Sequence, residues 1–95
     1  MTQLAHLGQI VATRTLLNTL AGLGLDQDSI LRPLINRHAA GDWGDVCDED
    51  RQLNEDGLKG GARTMSVYNV QPGLTIWVIT EADRSSTTAL LPEDY

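Results

Sequence analysis

The run Leu74-Thr75-Ile76-Trp77-Val78-Ile79-Thr80 constrains this chain more than any other stretch. Its β-branched and aromatic residues suit a pleated strand. Alternation sends Leu74, Ile76 and Val78 to one face and Trp77 and Ile79 to the other. A strand apolar on both faces belongs inside a sheet with cover on each side. Gln71-Pro72-Gly73 enters it as a turn and Asp83-Arg84-Ser85-Ser86 leaves it as another, so residues 63–95 read as an antiparallel three-stranded meander. Trp77→Ala in such a strand would cost about 3–5 kcal/mol. Cover for the second apolar face is expected from the N-terminal segment or from a partner.

The preceding residues, about 13–60, read as helical. Thr13 is placed to cap a helix carrying Leu16, Leu17 and Leu20 on one face, closed by Gly22 and Gly24. Asp26-Gln27-Asp28-Ser29 starts a second helix with Ile30, Leu31, Leu34 and Ile35 at helical spacing. Pro33 is tolerated only in a first turn, which sets that start near Asp28 or Ser29. Arg37 and His38 fall in its last turn and Gly41 stops it. Asp48 reads as the cap of a third, mostly solvated helix running to about Lys59, weakened at Gly57 by roughly 1 kcal/mol. Leu7–Ala12 is β-prone and adds a fourth, edge strand or serves as a lead-in. The expected fold is a single α+β domain over residues 1–95, with two to three short helices on one face of the small antiparallel meander.

Composition narrows the function classes. A net charge of −6 argues against a general nucleic-acid binder or an anionic-membrane binder, since both need cationic patches. The single cysteine, Cys47, excludes an internal disulfide and a cysteine-rich metal site, and reads as a small buried apolar residue. No apolar run is long enough to span a bilayer. These features suggest a cytoplasmic chain without cofactor or metal.

Several segments form a specific string: Arg37-His38-Ala39-Ala40-Gly41-Asp42-Trp43-Gly44, then Asp50, Asn54, Arg63 and Ser66-Val67-Tyr68. It continues through Trp77-Val78-Ile79-Thr80-Glu81-Ala82-Asp83-Arg84, Thr87-Thr88 and Leu90-Leu91-Pro92-Glu93-Asp94-Tyr95. Over about Leu7 to Tyr95 the chain resembles a family of small bacterial proteins found on plasmids, integrated elements and phages. It departs from that pattern where Arg14-Thr15 replaces a Pro-Gly after Thr13. The resemblance implies a mobile-element habitat and no mechanism.

Two functional readings follow from the motifs. In the first, the chain is a non-catalytic interaction or regulatory protein that binds another protein, either a second copy of itself or a host protein. Arg37, His38, Asp42, Trp43, Asp83 and Arg84 are its candidate binding residues. The seven acids between Asp42 and Asp56 could then compete for a basic surface, as an inhibitor of a host nuclease does. They do not form a calcium loop, because Gln52 and Leu53 stand where a ligand and a glycine are needed. In the second, His38 is the general base of a metal-independent ribonuclease loosely resembling toxins of the barnase and RelE type. Arg63 or Arg84 would neutralise phosphate, and Ser66, Tyr68, Thr87 or Thr88 would hydrogen-bond it. The simpler account of Arg37 and His38 is two cations facing the negative end of a helix macrodipole, with His38 steadying the 41–44 loop. On that account His38→Ala costs roughly 1 kcal/mol or less at neutral pH. If the loop folds back onto the domain, Trp43 is buried.

Overall fold

A computed structural model describes residues 7–95. The chain runs β1 (Gln9–Ala12), α1 (Arg14–Gly22), α2 (Gln27–Ala39), α3 (Asp48–Gly60), β2 (Thr64–Gln71), β3 (Leu74–Thr80), β4 (Ser86–Leu90) and a 3₁₀ turn (Pro92–Asp94). The four strands form one sheet in the order β1-β4-β3-β2, confirming an α+β fold with an added N-terminal edge strand. β2, β3 and β4 are the antiparallel meander, whereas β1 pairs parallel to β4 with Ile10 opposite Thr87.

Local signals set the helix starts. The Thr13 hydroxyl accepts from the Leu16 amide at 3.2 Å, and the Asp26 carboxylate accepts from both the amide and the hydroxyl of Ser29. Because Asp26 is the cap, α2 begins at Gln27 and Pro33 lies in its interior, not in its first turn. The proline leaves the Ser29 carbonyl without its helical donor, on an exposed face where water can supply one. Cys47, not Asp48, takes the cap position of α3, without a side-chain bond, and it is exposed. The expectation of a buried Cys47 is thereby corrected.

The core lies between the helices and one face of the sheet. Leu16, Leu20, Leu34 and Ile35 pack against Tyr68, Leu74, Ile76, Val78 and Ala89. This is the Leu74–Ile76–Val78 face expected from alternation. Among the described residues, the opposite face is covered by the C-terminal segment. There Tyr95 meets Trp77 edge-on at 5.4 Å, and Arg63 lies 5.1 Å over the Tyr95 ring and donates to its hydroxyl at 2.8 Å. Trp77 is therefore only half-buried, while Ile79 and Leu90 beside it are buried. Trp77→Ala should cost about 1–2 kcal/mol, below the range for a fully buried tryptophan. A shift in urea midpoint larger than that of Trp43→Ala would reverse this ranking.

Candidate functional site

The segment Arg37–Gly44 closes α2 and turns the chain onto the outer edge of β2. The Arg37 guanidinium lies 4.6 Å over the Tyr68 ring and its Nε donates to the Asp42 carboxylate at 2.7 Å. Tyr68 donates its hydroxyl proton to the Asp42 carbonyl at 2.6 Å. Asp42 also accepts from the Gly44 amide at 3.2 Å. Gly44 adopts φ 73°, and a Cβ there would strike the Val67 carbonyl and the Tyr68 ring, so only glycine fits. Trp43 is 1 % exposed, stacks edge-on against His38 at 5.4 Å, and donates from Nε1 to Glu55 at 2.9 Å. Burial holds the Tyr68 hydroxyl in its neutral form, its pKa pushed up to about 12. Arg37 and Asp42 stabilise each other's charge, raising the one pKa and lowering the other, on a half-exposed surface.

His38 is 2 % exposed and sits at the head of a chain of hydroxyls. Nδ1 lies 2.6 Å from Ser66 Oγ, Nε2 lies 2.8 Å from Thr80 Oγ1, and Thr80 lies 2.8 Å from Thr87 Oγ1. Thr87 ends the chain at the Leu7 carbonyl, 2.7 Å away. Counting protons from that end fixes every bond as far as the imidazole, and the Ser66 bond then follows for a neutral ring. A carbonyl only accepts, so Thr87 donates to Leu7 and must accept from Thr80. Thr80 then accepts from Nε2–H, and Nδ1 takes the Ser66 proton. His38 is thus the neutral Nε2–H tautomer with its lone pair engaged. Burial, with the Arg84 charge adding to it, lowers its pKa to about 4.

The order Ser66–His38–Thr80 has the connectivity of a nucleophile, base and orienter. Ser66 and Thr87, however, are fully buried, so no substrate reaches either hydroxyl. The histidine specifies packing at the junction of α2, β2, β3 and β4.

The other candidate residues are placed elsewhere. Arg84 occupies the turn between β3 and β4 at φ 60° and donates to the carbonyls of Gly57, Ala62, Glu81 and Ala82. Its charge thereby faces the carbonyl end of α3. Asp83 accepts from the Ser85 amide within the same turn and is exposed. Arg63 is held by Tyr95 on the opposite face of the sheet, apart from His38. His38 and Thr87 share the buried chain and Tyr68 abuts the same motif, but these residues and the two arginines form no common cleft.

Two further residues carry structure that motif reading missed. Thr80 continues the buried alternation of Leu74, Ile76 and Val78, and a hydroxyl in that series was the available signal. Asn54 aligns its carboxamide with the free edge of β2, accepting from the Met65 amide at 2.9 Å and donating to the Met65 carbonyl at 2.7 Å. Buried Gly57 lies one turn further on, where a Cβ would crowd the returning backbone at Ala62 and Arg63. Among the described residues, no group of three or more His, Cys, Asp or Glu is placed to hold a metal ion. No helix among them is long and apolar enough to cross a membrane. Compared with protein-family models, curated proteins and solved structures, the chain matches none.

Proposed function

We propose that this protein is a non-catalytic interaction protein, a regulatory accessory of a bacterial mobile element, that binds another protein through the solvent face of α3. The observation that carries this reading is the composition of that face. Leu53, 62 % exposed, has Glu49, Asp50 and Asp56 within one turn of the helix. An exposed leucine ringed by acids suits a partner with an apolar pocket inside a basic surface. Charge then speeds encounter and the leucine slows release. The charges alone would be only a solvated helix; the exposed leucine is what such a helix does not need.

The ribonuclease alternative lacks comparable support, since the lone pair of His38 is engaged and the histidine is shielded from solvent. Purified protein should leave RNA intact in the presence of a chelator. Immobilised protein should capture a basic partner from cells carrying the element, less at high salt, and Leu53→Arg should abolish capture while leaving the circular dichroism unchanged. Capture indifferent to Leu53→Arg would sink the α3 reading. Metal-independent RNA cleavage that disappears in His38→Ala would replace it with the enzyme.

A further inference from the structure

The two edges of the sheet are treated differently. Along β2 the outward backbone groups of Met65 and Val67 and the outward amide of Asn69 are engaged. Met65 is met by Asn54, Val67 by the Trp43 carbonyl and Asp45 amide, and the Asn69 amide by the Asp45 carboxylate. Along β1, Gln9 and Thr13 donate to Ser85 and Ala89 of the β4 side, so alternation turns the amides and carbonyls of Ile10 and Ala12 outward. Among the described residues nothing pairs with them. The strand has none of the usual edge protection: no charge, no proline and no bulge, with Ile10 54 % and Val11 38 % exposed. Beside this edge a groove of roughly 530 Å³ runs between β1 and α2, floored by Leu17, Leu31 and Ile35. Ile10 points to the groove side, because it shares a face with buried Thr87.

We infer that a second copy of this chain occupies the β1 edge, its own β1 added antiparallel across a two-fold axis at Val11. Ile10 of each copy then exchanges both backbone hydrogen bonds with Ala12 of the other, and each Ile10 side chain covers part of the neighbouring groove. Charge selects this occupant. An isologous patch must complement itself, so each cation has to meet an anion of the same patch. The rim carries one of each, Asp28 and Arg32, a helical turn apart and with side chains 69 % and 70 % exposed. The two-fold axis brings Asp28 of one copy towards Arg32 of the other. The rest of the lining is uncharged, and the acidic α3 packs on β2 at the far edge. A cationic strand from another protein would find no unpaired acid here. This association is independent of whichever protein α3 binds.

The test is sedimentation equilibrium of the full chain across a wide concentration range, with native mass spectrometry of mixtures. A monomer–dimer equilibrium is expected. Ile10→Pro removes an amide that the monomer does not use, so it should preserve the melting temperature yet weaken the dimer by about tenfold or more. Asp28→Arg and Arg32→Asp should each weaken self-association, and mixing the two variants should give the heterodimer in excess of the statistical proportion. A monomer at every concentration, a dimer indifferent to Ile10→Pro, or statistical mixing of the two charge variants would each overturn the inference. So would a dimer that forms only after deletion of residues 1–6, which would assign the edge to the chain's own N-terminal segment.

Discussion

Trp43→Ala is expected to destabilise the protein by about 3–5 kcal/mol, the range for emptying a buried aromatic site. The indole is 1 % exposed and braces two neighbours at once: the His38 ring by edge contact and Glu55 through Nε1–H. Removing the side chain opens a cavity between α2, α3 and β2 that the glycine-bounded turn cannot close, because Gly44 is already in contact with Val67 and Tyr68. For a domain of this size the melting temperature should fall by roughly 15–25 °C, at about 5 °C per kcal/mol. Calorimetry of the variant beside Trp77→Ala measures both. Equal shifts for the two tryptophans would mean that the 41–44 loop is not part of the core.

The second large effect belongs to His38 and is expected in two forms. His38→Ala leaves Ser66 and Thr80, both buried, short of a partner and vacates the ring volume, for a loss on the order of 3 kcal/mol. That replaces the loss of roughly 1 kcal/mol or less expected for a histidine merely facing a helix end. The same histidine should make the protein acid-sensitive. In the unfolded chain it takes up its proton near pH 6.5, whereas in the fold it resists protonation until about pH 4. Between those values the unfolded state binds more protons, so stability falls as pH drops from 6.5 to 4 and levels off below. The total is about 3 kcal/mol, of which about 2 kcal/mol is gone by pH 5. Asp26, Asp42, Asp83 and Asp94, all held below the usual carboxylate range, add their own losses at lower pH. Urea midpoints at pH 7, 6 and 5 isolate the histidine, and His38→Gln should flatten the slope. A slope that persists unchanged in His38→Gln would sink the assignment to His38.

Legibility followed sequence distance. The central strand, the Thr13 cap and the tight turns depend on neighbours within a few residues, and they stand where local signals put them; α2 starts earlier than Pro33 suggested, because the Asp26 cap outweighs one missing amide. Thr87, Ser66 and Thr80 reach His38 from strands that only the folded sheet brings together, separated from it by 28 and 42 positions for the direct contacts. No periodicity encodes such a meeting, so His38 read as a helix-end cation or a free base. The parallel pairing of β1 with β4 has the same cause, because it joins Gln9 to Ser86 across nearly the whole chain. Flanking glycines announce a sharp return at Trp43, but they do not say whether the indole packs on the domain or stands out as a contact, and the structure buries it. Trp77 misled because alternation gives a face without saying which cover that face receives. Arg84 looked like a ligand-binding charge at a turn tip; its acceptors are carbonyls of a helix end 22 and 27 positions upstream.

Asn54 has a consequence for the valence of the molecule. By presenting an amide donor and a carbonyl acceptor in strand register, its side chain acts as a terminal residue of the sheet, built by a helix. A sheet with one stoppered edge is a monofunctional unit. Joined through β1 it closes at two and cannot grow, because fibril propagation needs a second reactive end. Asn54→Ala would restore that end at Met65, and its expected symptom is slow filament formation at high concentration, read by thioflavin fluorescence, in a chain whose parent remains clear.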